Sequence, residues 1–134
     1  MARDEVIPNA LVANGGVAFK AATGAGVAIN VTNGAYVSTY DKFAAQGLII
    51  AVTNSHSSAH VVTITKGAYN LDATPGAAFR ASLGDATVTI PAGETWLLGP
   101  LETARFLQAD NSIYLGFDAG TTGTVEAFYL PKKV

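Results

Sequence analysis

Cysteine is absent from this chain, which excludes disulfide staples, thiolate zinc sites and cysteine nucleophiles while leaving the redox compartment open. Charge is scarce: eight basic and ten acidic residues make 13% of the sequence, against roughly 25% in an ordinary soluble domain. Long apolar runs are missing too, because Gly, Asn, Thr or Ser breaks each one before the ~20 residues that a membrane-spanning helix requires. No membrane partner is expected. A formal net charge of −2 argues against nucleic acid, whose phosphates demand clustered Lys and Arg, and the one basic pair, Lys132-Lys133, lies in the tail. The opening MARDEVIPNALVANGG sets Asp4 and Glu5 directly after Arg3 and carries Pro8 and Asn14. It does not read as a signal peptide, so synthesis in the cytoplasm is expected.

What is present points to β structure. The 134 residues suit one domain, which buries roughly two-thirds of the surface that its unfolded form exposes. With so little charge, much of the exterior must be Ala, Gly, Thr, Ser and Asn, and such a surface suits close packing against other protein, since interface centres are depleted in charge. Hydrophobic periodicity is close to two along most of the chain, with β-branched and aromatic residues in the runs and Gly, Asn, Asp or Pro between them. Strands are expected at 16–21, 27–32, 48–53, 60–66, 86–91, 94–99, 104–109, 112–117 and 124–130. Turn chemistry at Asn14-Gly15-Gly16, Gly24-Ala25-Gly26, Asn33-Gly34, Pro91-Ala92-Gly93 and Asp110-Asn111 separates them, because these residues tolerate positive φ or preset a turn.

The expected architecture is all-β: a single-domain antiparallel β-sandwich or jelly roll over residues 16–134. Residues 1–15 read as an N-terminal arm, either mobile alone or ordered on a partner. Alternation is cleanest at 86–91, where Val88 and Ile90 oppose Thr87 and Thr89. At 124–130, Val125, Ala127 and Tyr129 oppose Glu126 and Phe128, the pattern of a strand covered on both faces, with a neighbouring subunit as the expected cover. Residues 35–47 and 67–85 are less regular, and the second reads as a long crossing loop with a functional role. GPLETARF, 99–106, has room for one helical turn, with Pro100 at its start and Glu102 three positions before Arg105.

Chemical motifs are few. SHSSAH, 55–60, holds both histidines of the chain. A His pair at i, i+4 binds metal when a helix aligns both rings and a third ligand arrives from elsewhere, but strand-like flanks predict the polar tip of a hairpin instead. Ser55, Ser57 and Ser58 adjoin the histidines without a nucleophile elbow. Carboxylate pairs from Asp85 and Glu94 or Glu102 and Asp110 read as turn formers and solvated charges. ATGAGVA, 22–28, lacks the lysine of a phosphate loop, and Asn30-Val31-Thr32 is a formal glycosylation sequon. Trp96, Tyr36, Tyr40 and Tyr69 are candidates for carbohydrate stacking, core or subunit interface. No catalytic residue, metal site or cofactor is expected, and no enzyme activity.

Two stretches carry a resemblance. GLIIAVTNSHSSAHVVTITKG and LGDATVTIPAGETWLLGPLETARFLQADNSIYLGFDAGTTGTVEAFYLPKK, together about residues 47 to 132, resemble small virion structural proteins of tailed bacteriophages, most of all head decoration proteins. The resemblance rests on a Ser/His-rich loop between two strands, an IPAGET turn, a GP-L-E-x-x-R-F element and a final TGTVEAFYLPK strand. It implies a compact β fold on the outer capsid surface of the virion, a homo-oligomer and commonly a trimer, with the major capsid protein as partner. On that reading Arg3, Asp4, Glu5, Val6, Ile7 and Pro8 meet the capsid or a neighbouring subunit, and Glu102 and Arg105 hold a corner of the fold or a subunit contact. Trp96 and Phe106 fill the core. The alternative expectation is a glycan-binding module of a phage fibre or tail that uses Tyr36, Tyr40 or Trp96.

Overall fold

The computed structural model describes residues 2–12, 14–19, 26–38, 47–67 and 83–130. Among them, ten strands form two mixed sheets, and helix is limited to one turn. The strands are β1 Asp4–Val6, β2 Asn9–Ala10, β3 Val27–Ala28, β4 Ala35–Ser38, β5 Leu48–Asn54, β6 His60–Ile64, β7 Ala86–Ile90, β8 Thr95–Leu98, β9 Ser112–Phe117 and β10 Gly123–Tyr129, and α1 is Thr103–Phe106. The first sheet runs β1, β4, β9, β6, β7; the second runs β2, β10, β5, β8, with β3 also on β10. Both are mixed rather than purely antiparallel, because β1 lies parallel to β4 and β2 parallel to β10.

One core joins the sheets. Val37, Ile64, Ile113 and Leu115 from the first meet Ile50, Val52, Leu98 and Val125 from the second, and all are at most 4% exposed. Leu101 and Phe106, around α1, belong to the same cluster. Period-two patterning accounts for this: on β7, Val88 and Ile90 turn inward while Thr87 and Thr89 are exposed, so each strand commits one face to the core.

Several expected elements differ. Residues 104–109 begin in α1 instead of a strand: Arg105 and Phe106 both donate backbone N–H to Glu102 O, at 3.1 and 3.0 Å. The strand expected at 27–32 stops at Ala28, since Asn30 Oδ1 accepts the N–H of Thr32 and Asn33, each at 3.1 Å, and folds the chain into a turn. Residues 16–19 form no strand. Residues 35–38, read as irregular, form β4. The middle of the long loop, 68–82, lies outside the described residues, as do Tyr40 and Tyr69.

The N-terminal stretch read as an arm is built into both sheets. β1 edges the first sheet, the chain then crosses at Ile7 and Pro8, and β2 edges the second. Val6 is 1% exposed in the shared core, and burial of an apolar side chain is what draws this segment in. Leu11, Val17 and Phe19 then cover the outer face of the second sheet: Leu11 and Val17 pack on Ala51 and Phe128, and Phe19 stacks on Phe128 with ring centroids 6.0 Å apart. The double-faced pattern of β10 is thus met by the chain's own N-terminal segment. Val6→Ala is expected to cost roughly 2 kcal/mol, read as a lower urea midpoint, and removal of residues 1–9 is expected to cost more. A truncated chain with the wild-type midpoint contradicts the core role of β1.

Candidate functional site

The eight residues expected at an interface do not share a patch. Arg3 turns inward: its Nη1 donates to Leu115 O at 3.0 Å, and its guanidinium lies 4.4 Å from the centroid of the Tyr114 ring, a cation–π contact. Asp4 and Glu5 lie in β1, with Glu5 opposite Tyr36. The Tyr36 phenol is raised above its ordinary value, first by desolvation and then by the Glu5 carboxylate. Val6 and Pro8 are buried, whereas Glu5 and Ile7 face outward. At the opposite edge of the first sheet, Arg105 donates from Nε to Gly84 O and from Nη2 to Asp85 O, each at 3.0 Å, just before β7. It lies over the Phe106 ring and so holds a corner. Glu102 takes the N-cap position of α1, with extended backbone and no side-chain cap.

The Ser/His-rich segment is not a hairpin tip. β5 belongs to the second sheet and β6 to the first, so 55–59 is a crossing between sheets, and a crossing has to satisfy its own backbone groups. Asn54, 1% exposed, does much of this. Its Nδ2 donates to Ser58 O and Ile90 O, each at 2.9 Å, and its Oδ1 accepts from His56 N at 3.0 Å. Against the facing turn, 118–122, Ser55 N donates to Thr122 O at 2.9 Å, and Asp118 N of that turn donates to Val61 O at 3.2 Å.

The side chains of this corner form a chain of polar contacts that linear spacing does not reveal. Asp118 Oδ1 meets His60 Nδ1 at 2.8 Å and accepts Thr121 Oγ1 at 2.6 Å. Ser58 Oγ lies 3.4 Å from His60 Nε2 and 2.9 Å from His56 Nδ1, and the two imidazoles meet edge to face at 4.6 Å. Ser58, His60 and Asp118 are connected in the order of a charge relay. The Ser58 amide N–H donates to His56 Nδ1 at 3.2 Å. The arrangement braces a corner. The Asp118 carboxyl is held below its ordinary value, first by the Thr121 hydroxyl and then by His60. Among the described residues no group of three or more His, Asp or Glu is placed to hold a metal ion, and no helix is long and apolar enough to cross a membrane.

The exterior carries a second feature. Ile7, Val12, Leu83, Leu97 and Leu130 are each more than half exposed, and Phe19, Val31 and Trp96 are about two-fifths exposed. Trp96, expected in the core, sits on β8 with Nε1 donating to Glu94 Oε1 at 2.9 Å, while Phe106 does reach the core. A groove of about 530 Å³ between the 11–19 segment and β8 is lined by Leu11, Val17, Phe19, Ile49, Thr95, Leu97 and Phe128 and has no charged residue. Sequence patterning missed it because its walls come from four separate stretches of chain. A cleft of about 430 Å³ beside β1 and β10 has Glu5 and Glu126 in its lining; these are not the carboxylate pairs that the sequence suggested.

Comparison of the chain with protein-family models, with curated proteins and with solved structures gives no match.

Asn54→Ala removes the donor to Ser58 O and Ile90 O and is expected to cost roughly 2–3 kcal/mol, measured by urea denaturation; a loss below a few tenths of that contradicts the brace. A carboxyl with a depressed folded-state pKa adds stability above its ordinary value, and this stability is lost as pH falls through the folded-state value. Asp118 should therefore contribute at neutral pH and lose its contribution below about 3.8, its ordinary value. Asp118→Asn is expected to lower the urea midpoint at pH 7 and to make the acid fall shallower. Parallel pH profiles for the two proteins contradict this.

Proposed function

We propose that this chain is a virion structural protein of a tailed bacteriophage, a non-enzymatic subunit made in the host cytoplasm that decorates and stabilises the outer capsid surface as an oligomer. The major capsid protein is its partner, and a homotrimer is the form that the resemblance implies. The observation that carries the reading is the exterior: among the described residues, eight large apolar side chains are at least two-fifths exposed, on a chain that is 13% charged. A surface of that kind is stable in isolation but gains by being covered. Each contact can be modest, because engagement across a lattice multiplies effective affinity. Ile7 and Glu5, the outward-facing members of the N-terminal strand region, are the capsid-contact candidates there.

The finer fold assignment within this proposal is a jelly roll. Support comes from the strand orders β4, β9, β6, β7 and β3, β10, β5, β8, with successive strands from β4 onward changing sheets everywhere except between β6 and β7. That is the order expected of a jelly roll, in which two four-stranded sheets share one core. A second reading, a glycan-binding module of a fibre or tail, draws on Trp96, partly exposed with its indole N–H fixed by Glu94. A fixed, accessible indole suits sugar stacking.

Co-sedimentation of the purified protein with heads of its own phage lacking it is expected to saturate at a stoichiometry set by lattice sites. Absence of binding overturns the decoration reading. A change in Trp96 fluorescence on titration with host-surface glycans, combined with that absence, supports the glycan reading instead.

A further inference from the structure

We infer that the open edge of β8, Thr95–Leu98, is a self-association edge that pairs antiparallel with the same strand of a second copy. This goes beyond the capsid reading and does not depend on it. Among the described residues β8 ends the second sheet, and its strand partner is β5, along Ile50 to Thr53. Its far side therefore presents backbone N–H and C=O groups to whatever comes next.

Natural edge strands are guarded by Lys, Pro, bulges or inward charges. Thr-Trp-Leu-Leu has none of these residues. The corresponding edge of the first sheet shows the contrast: the exposed side chains of β7 are Thr87 and Thr89, which water solvates. On β8 the exposed side chains are Trp96, at 40%, and Leu97, at 63%. Consecutive residues of a strand point to opposite faces, so the edge is apolar on both. A partner lying flat on the sheet covers one of the two. An added strand brings side chains to both at once.

Charge selects the occupant. Residues 95–98 carry no charge and neither does the groove beside Leu97, so an identical strand meets no like charge. A two-fold axis normal to the sheet keeps inner face with inner face, and residues directly opposite then share a face. Two registers satisfy this. With Leu97 opposite Leu97 of the second copy, Trp96 faces its Leu98; with Trp96 opposite Trp96, Leu97 faces its Thr95. In either one Glu94 falls opposite an uncharged residue, Pro100 or Leu98 of the second copy, and the second sheets of two copies become continuous.

The test is sedimentation equilibrium of the full chain over a wide concentration range, together with the emission maximum of Trp96. Leu97→Lys places a charge on the exposed edge, and Thr89→Lys on the exposed face of β7 is the control. Wild type is expected to form an even-numbered species, a dimer or a hexamer of two trimers paired through β8, with a blue shift of Trp96 emission as concentration rises. Leu97→Lys, repeated in each copy by the two-fold, is expected to weaken association roughly a hundredfold or more with an unchanged urea midpoint for unfolding of the monomer, while Thr89→Lys leaves association as in wild type. A protein that stays monomeric overturns the inference, as does an oligomer indifferent to Leu97→Lys or equally sensitive to Thr89→Lys. If a monomeric wild type binds capsids and Leu97→Lys does not, the edge belongs to a capsid strand and self-pairing is overturned while the decoration reading stands.

Discussion

The antiparallel register between β5 and β10 is the constraint on which the rest of this structure hangs. Seven pairs run from Leu48 opposite Tyr129 to Asn54 opposite Gly123, so the second sheet is closed by strands far apart in sequence. That pairing sets Ile50, Val52, Val125 and Ala127 on the inner face and leaves Ala51 and Phe128 on the outer one. A slip of one residue would turn every one of these side chains to the wrong side. Gly123 allows the end of the ladder to close: its φ is +137°, and a Cβ there would run into the Thr53 carbonyl.

Two consequences follow from that ladder. Because β5 lies in the second sheet and β6 in the first, the chain must cross at Asn54, and the polar side chains of 54–60 and 118–122 satisfy the crossing. Asn54 is buried for this reason: a buried amide side chain is tolerated where its donors and acceptor all have partners, and here they reach Ser58, Ile90 and His56. The histidines, the most conspicuous residues in the sequence, are members of this brace. The second consequence concerns the outer face of β10, which is apolar and has to be covered. The N-terminal segment covers it with Leu11, Val17 and Phe19, having first crossed from one sheet to the other at Ile7 and Pro8.

The two remaining edges differ in chemistry. β7 ends the first sheet with exposed threonines, a hydrated and self-limiting border. β8 ends the second with Trp96 and Leu97, and the uncharged groove lies beside it. The scarcity of charge, visible in composition, therefore has one clear location at the border where the second sheet stops. The interface residues proposed near the N-terminus and at Glu102 and Arg105 are instead divided between opposite edges of the first sheet, and Arg3 and Arg105 spend their guanidinium groups on backbone carbonyls. An arginine surrounded by charge-poor surface finds its strongest partners in backbone carbonyls, so its charge in the sequence was a poor guide to exposure.

The sequence by itself determined the all-β class and the central strands. For β5, β7, β9 and β10, period-two alternation and β-branched content are local properties, and the boundaries read from them fall within a residue of those observed. It also left room for a helical turn within 99–106, although the strand expected at 104–109 gives way to it, and it excluded cysteine chemistry. Only the tertiary structure decided that the N-terminal stretch is two edge strands, that 35–38 is β4, that 55–60 crosses between sheets, and that Ser58, His60 and Asp118 meet. Short edge strands carry too few residues for a periodic signal, and their energy comes from partner strands distant in sequence, as Asp4 with Ala35 and Asn9 with Phe128 illustrate. Contacts of that sequence separation leave no local pattern, because the free energy that fixes them is released only when the two sheets close on one core.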